Sequence, residues 1–174
     1  HPYHYDAGWH ITGTCGVFGS VVATGRLLGL DEGQMVNALG IAGTQAAGVR
    51  ETFGSMSKPF HAGRSAQSGL LAGLLAVRGF TSTSTILEGR RGFATVLSTA
   101  SDMEKLTEAL GERWELPNNG LKPYACGVVS HPLIDAMITF RNIHGVKAED
   151  VHAITAKVQP LVLELMDRKH PRIG

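Results

Sequence analysis

Three stretches of this chain set a basic side chain beside the start of a predicted helix. They are Gly8-Trp9-His10-Ile11-Thr12-Gly13, Ser57-Lys58-Pro59-Phe60-His61, and Leu121-Lys122-Pro123-Tyr124-Ala125-Cys126 running into Ser130-His131-Pro132. A helix start carries unpaired backbone N–H groups and a partial positive charge, so a lysine or histidine added there makes a site for a carboxylate or phosphate. Lys58 and His61 stand three residues apart across Pro59, a spacing that sets both near one end of one helix face. Such a lysine fixes a carboxylate while the histidine moves a proton. His10, beside Trp9, offers an imidazole as general base. Lys122, Tyr124, Cys126 and His131 add an ammonium, a phenol, a thiol and a second imidazole. Each has a plainer reading: Lys58 a solvated charge, His61 a helix cap, His10 a ring bonded to a backbone carbonyl, Tyr124 and Cys126 packed in a loop. Three cationic corners in one chain nevertheless point to a polyanionic substrate.

Composition removes several other classes of function. The 16 Lys plus Arg nearly balance the 15 Asp plus Glu, so the broad basic surface of a nucleic-acid binder is absent. Cys15 and Cys126 lack the close Cys/His spacing of a zinc site, and His1, His4 and Asp6 do not complete a ligand set, so no metal is expected. Two isolated cysteines fit a reduced, cytoplasmic chain. The longest unbroken apolar run, residues 69–77, is well short of the roughly 20 residues that cross a bilayer, so the expectation is a soluble protein without a membrane partner. The sequence opens at His1 rather than Met, which leaves upstream targeting open. Nucleophile elbow, Walker loop and dinucleotide fingerprint are all missing, so acyl transfer, phosphoryl transfer and dinucleotide binding lack positive support.

The elements that must carry these residues read as mainly α. Residues 14–28 form a predicted helix closed by Gly29. Asp31 caps a second with Met35, Leu39, Ile41 and Ala42 inward and Gly48 near its end. Residues 59–78 carry Ala66, Leu70, Leu71, Leu74 and Leu75 at three- and four-residue spacing. Glycines inside these helices, such as Gly25, Gly69 and Gly73, each cost about 1 kcal/mol relative to alanine, which argues for helices that pack backbone to backbone. Residues 102–110 read as a short amphipathic helix. After the turn signal Pro117-Asn118-Asn119-Gly120, a helix over 132–142 precedes a strand-like alternation over 151–158. A lone strand is unstable, so the second part reads as the beginning of an α+β domain.

Taken in order, Gly8-Trp9-His10-Ile11-Thr12-Gly13-Thr14, Leu28-Gly29-Leu30-Asp31, Asn37-Ala38-Leu39-Gly40-Ile41-Ala42-Gly43, Lys58-Pro59-Phe60-His61-Ala62-Gly63, Ala66-Gln67-Ser68-Gly69-Leu70, Leu87-Glu88-Gly89 with Gly92-Phe93, and Lys122-Pro123-Tyr124 with His131-Pro132 and Ile134-Asp135 resemble the MmgE/PrpD family. The resemblance runs over nearly the whole chain. It implies an all-α helical domain over residues 1–117 followed by the start of an α+β lid over residues 118–174, an internal fragment of a larger protein. It also implies a homodimer whose active site lies between helical domain and lid. That site needs neither metal nor organic cofactor and acts on di- or tricarboxylates. Position by position, the likeness makes His10, Lys58 and Lys122 catalytic and sets His61, Tyr124 and His131 against the substrate. Decarboxylase members carry a further histidine five residues after the last lysine, where this chain has Gly127, and that departure favours dehydration of a 2-methylcitrate-like acid over decarboxylation.

Dehydration, decarboxylation and epimerisation of such acids share an α-carbanion, which positive charge must stabilise as it forms. The competing expectation is a non-catalytic remnant or a helical module that pairs with another chain.

Overall fold

The computed structural model describes residues 2–166, and these are mainly helical. They fall into two compact units, one reaching Leu110 and one starting at Gly111. The first contains α1 (Pro2–Asp6), α2 (Ile11–Leu28), α3 (Glu32–Gly43), α4 (Ser57–Val77) and α5 (Phe93–Leu97). The second contains α6 (His131–His144) and α7 (Pro160–Met166).

Local chemistry sets the helix ends of the first unit. Gly29 takes the left-handed conformation, φ 69°, that closes α2, and a residue with a Cβ adopts it at a cost. Asp31 then caps α3: its carboxylate accepts from the Gln34 N–H at 2.8 Å while the Gln34 side chain accepts from the Asp31 N–H at 3.1 Å. This reciprocal box stabilises α3 by about 1 kcal/mol. α3 ends at Gly43, so Gly48 lies beyond it in the following loop rather than near the helix end.

Helices α2, α3 and α4 pack together around Val17, Val21, Ala38, Ile41, Ala42, Ala72 and Ala76. The buried face of α4 is a stripe of small residues, Ser65, Ser68, Gly69, Ala72, Gly73 and Ala76. Its leucines Leu70, Leu71 and Leu74 stay about half exposed. α2 likewise buries Val17 and Val21 and leaves Val22, Leu27 and Leu28 open, so it is buried along one face only. Close approach explains the choice: a Cβ on Gly69 would lie 2.6 Å from the Val21 backbone nitrogen, and one on Gly73 2.7 Å from the Thr24 side chain. Among the described residues, α2 alone is long and apolar enough, by length and composition, to cross a membrane, and in this fold its buried face is spent on α3 and α4.

Two expectations fail. Residues 102–110 form only a 3-10 turn, Glu104–Leu106, because the backbone turns left-handed at Ala109 (φ 52°) and Gly111 (φ 88°) before a helix is established. Residues 151–158 are extended without a ladder, and among the described residues the one β pairing is the isolated bridge between Trp9 and Val49. An alternating pattern becomes a strand only when a partner supplies hydrogen bonds.

Candidate active site

His10 is the residue before α2 and is 8% exposed. Its ring does not cap the helix, and its backbone N–H donates to the Gly48 carbonyl at 3.0 Å. Gly13, in the first turn, lies so close against the Ala47 carbonyl that a Cβ would collide with it. Behind this turn, the His4 ring donates from Nδ1 to the Leu97 carbonyl at 2.9 Å, and its Nε2 is hydrogen-bonded with the Thr14 hydroxyl at 2.7 Å. Both nitrogens of His4 therefore serve the packing, and among the described residues no three His, Cys, Asp or Glu side chains converge as a metal would need.

Helix packing brings His61 to His10. His61 lies inside α4 as its fifth residue, so it is not the cap that spacing allowed. The two rings meet Nδ1 to Nδ1 at 2.8 Å across 51 positions of sequence. Buried Ser65, one turn later, holds the register, with its hydroxyl 2.9 Å from the carbonyl oxygens of both Gly13 and His61. Gly48, at φ 132°, passes directly beneath the His61 ring, where a Cβ would lie 3.1 Å from Nδ1. One imidazole must donate across the Nδ1 contact and the other accept, so the pair holds at most one imidazolium.

Lys58 occupies the first turn of α4, within the helix rather than in the loop before it, and its side chain is exposed. Its ammonium lies 4.7 Å from the centroid of Phe53, whose ring packs edge-on against His10 at 4.8 Å. Phe53 thus connects the cation to the imidazole through a cation–π contact and an aromatic contact. The loop that brings Phe53 here is fastened by Arg50, which stacks 3.8 Å over Tyr5 and donates to the Tyr5 carbonyl at 2.9 Å. Phe53 carried no signal in the sequence and Gly48 read there only as a residue near a helix end, because each acts through a loop with no periodic signal.

Burial first, then the neighbouring His61 and Lys58, hold the His10 pKa below the ordinary 6.5. His10 is therefore neutral, and able to accept a proton, at neutral pH. The unfolded chain takes up a proton near 6.5 that the folded protein refuses until a lower pH, so stability falls as pH drops through 6.5 toward the folded value. Urea unfolding between about pH 7.5 and about pH 5.5 is expected to show this loss, with a shallower dependence in His10→Asn. Equal slopes in the two proteins would assign the proton uptake to another group.

The second unit contains the remaining three predicted residues and brings two of them, Tyr124 and His131, into contact. Tyr124 donates its hydroxyl to Asp135, which pushes the phenol pKa up and keeps it a hydrogen-bond donor. Its ring stands edge-on to His131 at 5.3 Å. His131 is the first residue of α6, is 7% exposed, and has a buried Nε2 with no partner among the described residues. Lys122 lies in irregular chain, not at a helix start, and its ammonium donates to the Cys126 carbonyl at 3.3 Å. Asp135 had entered the sequence reading only as part of a motif, and its hydrogen bond to Tyr124 gives it a structural reason.

A cleft of about 480 Å³ in the first unit, lined by Ile11, Cys15, Phe18, Phe93, Met103 and Leu106 among others, contains none of His10, Lys58 or His61. Its lining is mostly apolar.

The family description "MmgE/PrpD N-terminal domain" matches residues 1–106. The cis-aconitate decarboxylase of Aspergillus terreus is 35% identical over 138 residues, which is 75% of this chain and 28% of that protein. The mouse cis-aconitate decarboxylase is 27% identical over 161 residues, 91% of this chain and 33% of the relative, and the human one is 26% identical over 135 residues, 76% and 28%. The chain thus spans about a third or less of the length of these curated relatives. With the match covering more than half of its residues, the chain belongs to the MmgE/PrpD family.

Proposed function

We propose that this protein serves lyase chemistry on a di- or tricarboxylate, passing through an α-carbanion without an organic cofactor. The observation that carries the reading is the cluster on α2 and α4: a buried imidazole held neutral, joined to a second imidazole, with an ammonium anchored beside it on the Phe53 ring. His10 takes the proton from carbon, while Lys58 holds the adjoining carboxylate and stabilises the enolate-like charge that develops there. Lys122 is assigned a second carboxylate, and Tyr124, kept protonated by Asp135, donates a hydrogen bond to substrate oxygen. His131 completes the polar group at the start of α6.

Within this class, dehydration of a 2-methylcitrate-like acid is the first reading, in keeping with Gly127 standing five residues after Lys122. Decarboxylation is the second, favoured by the names of the Aspergillus, human and mouse relatives. Incubation with 2-methylcitrate, citrate, cis-aconitate and iminodisuccinate in D₂O, followed by NMR, separates them. Loss of water from 2-methylcitrate supports dehydration, and release of CO₂ from cis-aconitate supports the second reading. Deuterium entering an acid without net turnover identifies an epimerase. Silence toward all four acids would sink the polycarboxylate reading and leave the helical interaction module.

A further inference from the structure

We propose that His61 is the proton outlet of His10: the two rings, joined Nδ1 to Nδ1, form a relay that moves the charge of an abstracted proton from the buried imidazole to the more open one. This rests on the reading of His10 as the base. The 2.8 Å contact is short enough for direct transfer, and the two rings differ in setting, His10 being 8% exposed and His61 only half-buried. Charge left on His10 would be poorly solvated and would face the Lys58 ammonium, which shares the Phe53 ring with it. Arg50, with its guanidinium 6.0 Å from the same ring, adds positive charge on the loop side, while neighbouring Glu51 is exposed to solvent.

The protons balance as follows. In the resting pair, His10 carries its proton on Nδ1 and donates to the bare Nδ1 of His61, which carries its own on Nε2. When the substrate C–H bond breaks, its electron pair stays on carbon and the proton joins His10 Nε2. The Nδ1 proton of His10 then crosses to His61 Nδ1, so His10 ends neutral and His61 becomes the imidazolium. His61 releases its Nε2 proton to water, and the reverse sequence returns a proton for the protonation step. Gly48 is part of this device, because a side chain there would push against the His61 ring.

Two measurements test it. Nitrogen-15 NMR of the histidines in this chain, titrated through the neutral range, is expected to show His61 taking the proton while His10 stays neutral with its Nδ1 in the shared bond. Proton uptake on His10, or independent titration of both rings, would overturn the relay whether or not any acid is turned over. With an acid that the wild-type protein does turn over, His61→Gln keeps a hydrogen-bonding partner for His10 but removes the ring nitrogens that would take and pass on the proton. It is expected to lower kcat by about 10²-fold with KM changed little, and to abolish the solvent deuterium isotope effect on C–H cleavage that the shared, exchangeable proton gives wild type. A raised KM with unchanged kcat and isotope effect would instead make His61 a carboxylate contact. Absence of turnover in wild type counts against the polycarboxylate reading alone, since the NMR result judges the relay separately.

Discussion

Lys58→Ala is expected to lower kcat/KM for the polycarboxylate substrate by roughly 10²- to 10³-fold while leaving the fold intact. The size follows from what the ammonium is asked to do. Removing a proton beside a carboxylate adds negative charge to a group that is already an anion, and a fixed cation placed there is worth far more in the transition state than in the ground state. No helix packing depends on this side chain: it is exposed, it lies over the face of Phe53, and alanine is well tolerated in the first turn of a helix. Thermal unfolding should therefore barely move. A second signature follows from the electrostatics. Lys58 helps to hold the His10 pKa down, so its loss lets that pKa rise and moves the acid limb of the pH–rate profile toward higher pH. Lys58→Arg, which keeps the charge but not the shape, should restore the limb and only part of the rate. Full activity with an unmoved profile in Lys58→Ala would take Lys58 out of the mechanism.

The chemistry of this cluster was half legible in the sequence. Lys-Pro-x-His and Gly-Trp-His stand out because a cation beside a helix start adds to the positive end of the helix and the spacing is local, although each also admits a plain structural reading. The contact of His10 with His61 was not legible, since it spans 51 positions and depends on the register in which α2 lies against α4. Phe53 and Gly48 were hidden for a related reason: they sit in a loop, where neither a period of 3.6 nor of 2 marks the side that faces the site. In the second unit the pattern pointed correctly to α6 but failed for residues 151–158, where alternation without a hydrogen-bonding partner leaves extended chain.

The fold shows a different kind of gap. Leucines at three- and four-residue spacing marked α4 as a helix, yet they do not form its buried face. Periodicity reports which residues share a stripe, whereas close packing is decided by which stripe lets two backbones approach. The glycines carried that information, and only some of them. Gly69 and Gly73 lie against α2, while Gly19 and Gly63 face open space.

That distinction makes opposite predictions for one substitution at two places in the same helix. At Gly63 an added methyl meets nothing within 4 Å, so Gly63→Ala gains helix propensity and is expected to raise stability by about 0.5–1 kcal/mol. At Gly69 the same methyl would lie 2.6 Å from the Val21 backbone nitrogen and against the Ser20 side chain. A flexible side chain moves aside cheaply, but a backbone atom in the middle of α2 moves only if the helix does. Separating α2 from α4 loosens the packing around Val21, Ala72 and Ala76, so Gly69→Ala is expected to cost about 2–3 kcal/mol despite its better helix propensity. Against a total of about 5–15 kcal/mol for a typical domain, such a loss is readily measured by urea or thermal unfolding. It should also weaken the His10–His61 contact, because that hydrogen bond is set by the same helix pair two turns away along α4. If both variants proved equally stable, the backbones of α2 and α4 would have to lie farther apart than this fold places them, and the register that joins the two histidines would lose its physical basis.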